Sequence, residues 1–272
     1  MLIDRKEGAS NGCIDLNCDM GEGMATDAAI FPFISSANIA CGGHAGDEST
    51  MRRTIELALQ HNVGIGAHPS YPDRANFGRL DILDHGPDHS DHDPTTPGTR
   101  LHLRDLSAIL TDQLGQLQKV CASFGVRLRH VKPHGALYNR AAKDAAVSDI
   151  ICRTILAFDP SLLLYGLSGS EMKRQAQASG LTFVSEVFAD RTYREDGSLT
   201  PRTEPHALIE DPTAAIQQVL KMVKEGKVTA GSGKDIPLSA DTICIHGDGI
   251  HAVEFARTIH DTLLQNGISI TY

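Results

Sequence analysis

The chain alternates short apolar runs with longer stretches of helical periodicity. Segments with strand character begin at seven places: Cys13, Ser36, Val63, Val126, Leu162, Leu181 and Thr242. Between most of them, apolar residues recur every three or four positions, which predicts amphipathic helices. Strand followed by helix, repeated about seven times, is typical of a parallel α/β fold.

Three helices are predicted from this spacing. Asp47 is placed to cap the first, whose apolar face comprises Met51, Ile55, Ala58 and Leu59. The segment 103–124 is long enough for several turns of a second helix. A third lies near the carboxyl end, with the apolar positions Ala252, Val253, Ala256, Ile259 and Leu263.

Polar side chains collect where the predicted strands end. They are Asp19 and Glu22, His44, His68, Lys132 and His134, Glu186, and His246 and Asp248. In a parallel barrel all strand ends open onto one face, whereas an open sheet would gather such groups at a single switch point. Their spread over six strands favours a single-domain (β/α) barrel, residues 1–272, of about seven parallel strands. Several strands are apolar on consecutive residues, as expected for helices on one face and a packed interior on the other.

Two segments depart from this regularity. "VRLRHVK" at Val126 alternates polar and apolar residues. Residues 81–100, "DILDHGPDHSDHDPTTPGTR", contain three prolines and many Asp and His residues, which predicts a polar loop inserted between elements.

The overall composition excludes several kinds of partner. A formal net charge of −9 and the absence of Trp argue against binding nucleic acid or an anionic membrane. The six cysteines are scattered, which suits buried thiols in a reducing compartment. Neither a signal peptide nor a spanning apolar segment is visible, so the predicted location is the cytoplasm.

Several strand-end residues have side chains suited to acid–base chemistry. Asp19 and Glu22 lie three residues apart, a spacing suited to general base work or to holding a cation. His44 and His68 each follow a strand of small residues, where an imidazole can act as acid, base or ligand. Each also has an ordinary explanation: a polar loop cap for the carboxylates, and hydrogen bonds to backbone carbonyls for the imidazoles.

The later strand ends add charged groups. Lys132, beside His134, is suited to hold a phosphate or a developing oxyanion, and Arg191 to grip a carboxylate. Glu186, His246 and Asp248 complete the set. A solvated lysine and an arginine paired with Asp190 are the ordinary alternatives. "GSGKD" at Gly231 lacks the spacing and the hydroxyl of a Walker A loop, so no nucleotide loop is visible.

Several long motifs, in order along the chain, resemble the LamB/YcsF family. They are "IDLNCDMGEG", "SANIACGGHAGD", "IGAHPSYPDRANFGR", "VKPHGALYN", "EVFADRTYREDGSL" and "CIHGD". The chain departs from the family pattern at Gly43, where an aromatic residue is usual, and after "HGD", which continues with Gly249 and Ile250.

The resemblance implies a fold and an activity. The fold is a barrel related to those of glycoside hydrolases and deacetylases. The activity is that of the A subunit of an ATP-dependent 5-oxoprolinase, which with the B and C subunits opens 5-oxo-L-proline to L-glutamate and hydrolyses ATP to ADP and phosphate. The matching motifs contain the strand-end residues named above and also Asn38. The resemblance implies that Asn38, Arg191 and Asp248 bind substrate, and that the catalytic residues are Asp19, Glu22, His44, His68, Lys132, His134, Glu186 and His246.

A mechanism can be stated as a hypothesis. Phosphate passes to the lactam oxygen, and water attacks with Asp19 or His68 as base, while Lys132 stabilises the anion and Arg191 holds the substrate carboxylate. Part of the ATP site is then expected on a partner subunit. Two alternatives stay open: a metal-dependent deacetylase-like hydrolase using Asp19, His44 and His68, and a non-catalytic lactam-binding subunit. The sequence also leaves open a bound divalent metal and a homo-oligomer.

Overall fold

The computed structural model describes residues 12–84, 100–245, 247 and 251–272. Twelve strands occur in these ranges: β1 Cys13–Met20, β2 Ser36–Ala40, β3 Gly64–His68, β4 Leu83–Asp84, β5 Leu101–His102, β6 His130–Val131, β7 Leu163–Leu167, β8 Phe183–Phe188, β9 Lys227–Thr229, β10 Asp235–Pro237, β11 Thr242–Ile245 and β12 Ser269–Ile270. The α-helices there are α1 Asp27–Ile30, α2 Glu48–Gln60, α3 Leu106–Ser123, α4 Gly135–Ala141, α5 Ala145–Phe158, α6 Glu171–Ser179, α7 Pro212–Glu225 and α8 Ala252–Gln265. Short 3-10 turns lie at Phe31–Phe33, Arg74–Asn76 and Leu103–Asp105.

Seven parallel strands close into a barrel. Their order is β1, β2, β3, β6, β7, β8 and β11, and β11 pairs with β1 through a register that sets Asp15 opposite Thr242. Strand β12 adds to the outer end of β1, where Cys13 lies opposite Ser269. All seven predicted strands are present, and the predicted parallel (β/α) barrel is confirmed. Because every barrel strand runs the same way, their carboxyl ends meet at one mouth.

The helices form a layer around the barrel, with α2 against α3, α3 against α5, and α5 against α6. The predicted cap of α2 is confirmed, since the Asp47 side chain accepts a hydrogen bond from the Thr50 backbone amide. Met51, Ile55 and Ala58 are buried, as expected, but Leu59 is 45% exposed. At 100° per residue, Leu59 lies beyond the edge of the face that contacts the barrel.

The barrel interior is polar, unlike the apolar packing that consecutive apolar residues predict. Along β1, Leu16 and Cys18 join the hydrophobic core outside the barrel, while Asp15, Asn17 and Asp19 alternate with them and point inward. The main hydrophobic core therefore lies between the strands and the helices, and the interior is available for a hydrogen-bonded network.

The amino-terminal end of this network is centred on Asp15. Its carboxyl accepts hydrogen bonds from the hydroxyls of Ser35, Ser36 and Thr242, at 2.6, 2.7 and 2.6 Å. Burial raises the pKa of Asp15, because the charged form is poorly solvated there. The three hydroxyl donors compensate part of that cost and link β1, β2 and β11 at the barrel floor.

Two sequence predictions are modified by the structure. In "VRLRHVK" only His130–Val131 forms a strand, although the Arg129 and Lys132 amides continue the ladder to β3 by donating to the Ile65 and Ala67 carbonyls. The predicted insert at 81–100 includes strand β4, whose Leu83 lies opposite Leu101 of β5, just after the insert. Residues 85–99 lie outside the described part of the chain.

No helix among the described residues has both the length and the apolar character that crossing a membrane would require.

Candidate active site

Asp19 is the hub of the polar groups at the barrel mouth. It lies near the end of β1, where its Oδ1 accepts hydrogen bonds from Lys132 Nζ at 2.9 Å and Asn38 Nδ2 at 2.8 Å. Its Oδ2 lies 3.3 Å from His68 Nε2. Burial alone would raise the pKa of Asp19, but the neighbouring charges of His68 and Lys132 outweigh it and lower the pKa well below its ordinary value. Asp19 is therefore a carboxylate.

Lys132 is a buried cation shared between two carboxylates. Its Nζ lies 2.9 Å from Asp19 Oδ1, 2.8 Å from Glu186 Oε1 and 3.2 Å from both Asn17 Oδ1 and Cys244 Sγ. Burial acts to lower its pKa, but the Asp19, Cys244 and Glu186 side chains raise it well above the ordinary value. An ammonium has three protons, and Lys132 donates them to Asp19, Asn17 and Cys244, while Glu186 contributes a second negative charge at 2.8 Å. The geometry thus favours charge balancing, and stabilisation of a substrate anion by Lys132 stays a prediction.

Glu186 is the second carboxylate that Lys132 contacts. It lies on β8 and its side chain is fully buried. Burial and the adjacent Glu186 carboxylate raise the pKa of Tyr138, on α4, well above its ordinary value. Lys132 therefore balances the charge of a carboxylate that is fully buried, and a catalytic role for Glu186 stays a prediction.

Three imidazoles and one carboxylate converge at the mouth. Glu22 Oε1 lies 3.0 Å from His44 Nε2, 3.4 Å from His134 Nδ1 and 3.8 Å from His68 Nε2. The rings of His44 and His134 stack in parallel, with centroids 3.6 Å apart, and His68 meets both edge-on. The structure thus brings together four side chains that the sequence predicted at one rim: Glu22, His44, His68 and His134.

Backbone carbonyls orient two of these rings. The Nδ1–H of His68 donates to the carbonyl of Lys132 at 2.7 Å, and the Nε2–H of His134 donates to the carbonyl of Phe77 at 3.0 Å. A carbonyl only accepts, so each ring has its proton on that nitrogen. His68 Nε2 and His134 Nδ1 then face each other across 2.9 Å.

The charge states of the rings differ with their surroundings. Burial and the nearby His68 lower the pKa of His44 and of His134 to about 3, so both are neutral near pH 7. Burial acts in the same direction on His68, but the Asp19 carboxylate outweighs it and raises the pKa of His68. Burial and the Asp19 charge raise the pKa of Glu22.

The loop after β3 supports the cluster from behind. Phe77 has a φ of 56°, a left-handed conformation that is costly for a residue with a side chain. Gly78 follows with a φ of 63°, and a Cβ there would lie 3.0 Å from the Cβ of His44 and 3.1 Å from His134 Cδ2. Only glycine fits this close approach, which holds the Phe77 carbonyl against His134.

Asn38 is held by a contact that the sequence analysis missed. His130 Nε2 lies 2.7 Å from Asn38 Oδ1, so the Asn38 amide nitrogen donates to Asp19 and to Asn17. The His130 ring stacks on Tyr165 at 4.0 Å. A Cβ on Gly66 would lie 2.0 Å from His130 Nε2, so this glycine makes room for the ring.

Asn17 and His130 could have been found from strand periodicity. Asn17 lies two residues before Asp19, and His130 lies two residues before Lys132, on the same face of each strand. Asn38 itself donates to Asp19 and so helps to orient that carboxylate, and a substrate-binding role for Asn38 stays a prediction.

The guanidinium of Arg191 is held by its own loop. It donates to the backbone carbonyls of Ala207 and Thr200, and the backbone of Arg191 pairs with Leu208. Burial and the neighbouring Arg202 lower its pKa. These contacts organise the loop after β8, and gripping a substrate carboxylate stays a prediction. His246 and Asp248 lie outside the described residues.

The departure at Gly43 has a structural counterpart. A Cβ on Gly43 would lie 2.5 Å from both Gln113 Oε1 and Ser70 Oγ. Gln113 is buried and bonds to both the amide and the carbonyl of Ser70. In this chain the Gln113 amide from α3 therefore fills space that a side chain at position 43 would otherwise need.

Comparison with known proteins gives matches over nearly the full chain. The 5-oxoprolinase A subunit of Tolumonas auensis is 48% identical over 262 residues, 94% of this chain and 98% of the relative. The protein of the same name from Bordetella parapertussis is 49% identical over 265 residues, 96% of this chain and 98% of the relative. The crystal structure of the lactam utilization protein from Thermus thermophilus is 37% identical, with a TM-score of 0.83, over 95% of this chain and 99% of that chain.

The LamB/YcsF family model matches residues 14–89 and 99–272. The gap between these ranges, residues 90–98, lies within the polar segment predicted at 81–100. With both the mouth cluster and the barrel strands inside the matched ranges, this chain belongs to the LamB/YcsF family.

Proposed function

We propose that this chain is the A subunit of an ATP-dependent 5-oxoprolinase. The reaction consumes 5-oxo-L-proline, ATP and two waters, one for the lactam and one for the phosphoryl group, and yields L-glutamate, ADP and phosphate. Near-full-length relatives named as A subunits of 5-oxoprolinase support the assignment. The observation that carries it is the convergence of Asp19, Glu22 and three imidazoles at one barrel mouth.

Coupling to ATP would overcome the low reactivity of the lactam carbonyl toward water. An unactivated lactam is a poor electrophile because its nitrogen donates electrons into the carbonyl. Phosphoryl transfer to the lactam oxygen breaks the bond between the γ-phosphorus and ADP and gives an imidate-like species. Water then adds to the former carbonyl carbon, the ring C–N bond breaks and the nitrogen takes a proton. A second water releases phosphate from the resulting acyl phosphate.

Asp19 is the proposed proton acceptor for the attacking water. Lys132 and Asn38 hold its Oδ1, and its Oδ2 faces the imidazole cluster. The side chain is 17% exposed, compared with none for Glu186, so water can reach it. Lys132 and Asn38 thus position the base, because they hold Oδ1 and so fix the direction of Oδ2, which pairs with His68.

Nucleotide binding is assigned mainly to the partner subunits, which we propose are the B and C subunits. The sequence has no Walker A loop, and Lys132 donates its three protons to Asp19, Asn17 and Cys244. Partners that bring ATP to the mouth would complete the site.

The test is turnover of the reconstituted complex. This chain is mixed with its B and C subunits, and glutamate and ADP are followed with and without 5-oxoproline. Asp19→Asn should lower glutamate release by roughly 10²- to 10⁴-fold, the usual contribution of a general base. Asp261→Asn on exposed α8 is the matched control and should keep full activity. Full activity of Asp19→Asn would remove this carboxylate from the mechanism.

The mouth cluster also favours a second candidate, a metal-dependent hydrolase that needs no ATP, since Glu22, His44, His68 and His134 could hold an ion. Glutamate release by the isolated chain without ATP would support that candidate and contradict the first. A non-catalytic lactam-binding protein would instead bind 5-oxoproline alone and tolerate Asp19→Asn.

A further inference from the structure

We propose that Glu22, His44, His68 and His134 form a binding site for one divalent transition-metal ion of the zinc class. Each offers one ligand atom, and these four atoms lie within 4.8 Å of one another. The set differs from the one considered for the deacetylase-like alternative, because His134 and Glu22 join His44 and His68 where Asp19 was expected. Asp19 instead bonds to Lys132 and Asn38 through Oδ1 and reaches only His68 with Oδ2.

The distances fit a four-coordinate ion. Tetrahedral zinc with bonds of about 2.0–2.1 Å places neighbouring ligand atoms about 3.3 Å apart. The separations here are 2.9 Å between His68 and His134, 3.0 Å between Glu22 and His44, 3.4 Å between Glu22 and His134, and 3.8 Å between Glu22 and His68. The two remaining pairs, His44 with His68 and His44 with His134, lie within 4.8 Å, so side-chain shifts would bring all four atoms to tetrahedral spacing.

The orientation of two imidazoles is an independent argument. His68 donates Nδ1–H to the Lys132 carbonyl, and His134 donates Nε2–H to the Phe77 carbonyl. Metal-bound histidines nearly always donate their other ring N–H in this way, which fixes the ring and leaves the remaining lone pair for the ion. Both lone pairs point into the same space, 2.9 Å apart, and only a cation makes such an approach favourable. A shared proton is the other cation that could do so.

The surroundings hold these ligands rigidly. His44 stacks on His134 at 3.6 Å with an interplanar angle of 3°, and Phe77 meets both rings edge-on. Side-chain exposure is 0% for His44, 1% for His68 and 9% for His134, while Glu22 at 10% faces the mouth. Three imidazoles and one carboxylate fill all four positions of a tetrahedral ion, so a further ligand from solvent or substrate would make the ion five-coordinate.

The donor set selects the class of ion. Imidazole nitrogens suit Zn²⁺, Co²⁺, Ni²⁺ or Fe²⁺, whereas Mg²⁺ and Ca²⁺ require mainly oxygen ligands. The Mg²⁺ that accompanies ATP is therefore not expected here. A bound ion of the zinc class polarises a carbonyl oxygen as a Lewis acid. That catalytic use rests on the proposed function, while binding of the ion does not.

The experiment measures metal binding by the full chain alone, without ATP, substrate or partner subunits. The protein is stripped with a chelator, then titrated with Zn²⁺ and separately with Co²⁺, followed by elemental analysis after dialysis and by the visible absorption of bound Co²⁺. One equivalent per chain is expected, with a tetrahedral Co²⁺ spectrum. Mg²⁺ should neither bind nor compete.

Two variants locate the site. His134→Ala removes a ligand, and Glu22→Gln removes a charge while keeping the shape of the side chain. Each should weaken Zn²⁺ binding by more than the roughly 10- to 100-fold that loss of an outer partner costs. His61→Ala, at the exposed end of α2, should bind like the wild type. Urea unfolding of each stripped protein checks that the variants fold.

Several results would overturn the site. A wild-type chain that takes up no Zn²⁺ at micromolar concentration would leave a shared proton as the cation between His68 and His134. Equal affinity in Glu22→Gln would place the metal elsewhere. By contrast, Zn²⁺ binding by a chain whose complex with the B and C subunits shows no 5-oxoprolinase turnover would contradict the proposed function and support the metal site.

Discussion

Replacing Gly66 by alanine tests the packing that positions the active-site carboxylate. Gly66 lies on β3, directly opposite His130 in the ladder with β6. An added Cβ would lie 2.0 Å from His130 Nε2, whereas ordinary contact begins at 3.4 Å. The ring would have to move by about 1.4 Å. Stacking on Tyr165 and the bond to Asn38 oppose that movement.

The expected cost can be worked from these contacts. Overpacking a tightly filled interior costs about 1–3 kcal/mol. If His130 moves, the Asn38 oxygen loses its donor in a buried position, at about 1–3 kcal/mol more. Alanine restricts the unfolded chain and returns about 0.5–1 kcal/mol. The free energy of unfolding should therefore fall by about 1–5 kcal/mol. Glutamate release by the reconstituted complex should also fall, because Asn38 no longer orients Asp19.

Urea unfolding followed by circular dichroism measures this change. Gly115→Ala, within α3 and with open space around its Cβ, is the matched control and should stabilise the chain by up to about 1 kcal/mol. Adding His130→Ala to Gly66→Ala removes the clash, so the double variant should be more stable than the two separate losses predict. A Gly66→Ala protein within about 0.5 kcal/mol of the wild type would refute the packing argument.

Two further predictions concern charge. Lys132→Ala leaves Asp19 and Glu186 buried without their cation and should lower the free energy of unfolding by about 3–5 kcal/mol. Lys221→Ala, at an exposed ion pair, is the control and should lower it by at most about 1 kcal/mol. Equal losses in urea unfolding would contradict the interpretation that Asp19 and Glu186 share the Lys132 cation. Burial lowers the pKa of His130 to about 3 from an ordinary 6.5. Between pH 6.5 and about pH 3 the unfolded chain therefore binds a proton at His130 that the folded chain does not. The free energy of unfolding should fall as the pH is lowered through this range. Urea unfolding at about pH 5.5 and 4.5 measures how steeply the free energy of unfolding depends on pH. His130→Asn should reduce this slope by about 1.4 kcal/mol per pH unit. An unchanged slope would mean that His130 is already protonated in the folded state.

The sequence by itself determined the barrel and the rim. Apolar runs and helical spacing are local properties, and parallel strands necessarily bring their carboxyl ends to one side. Asp19, His44, His68 and His134 could therefore be placed together before any coordinates were known. The cap at Asp47 was equally accessible, because a cap depends on neighbours within one turn.

Only the tertiary structure decided which atoms meet. Pairing of β1 with β2, β2 with β3 and β3 with β6 sets Asp19 opposite Asn38, Asn38 opposite Gly66 and Gly66 opposite His130, a register that no local pattern contains. Barrel closure directs Lys132 inward to Asp19 and Glu186, away from solvent.

The side chains on the loops after the strands also take directions that the sequence does not predict. Arg191, which the sequence suggested for a substrate carboxylate, donates instead to two carbonyls of its own loop. His134 contacts Glu22 through the orientation set by the Phe77 carbonyl, 57 residues away in the chain. Residue type and strand order are local information, whereas the direction of each side chain depends on contacts between distant segments, and these exist only after the barrel has closed.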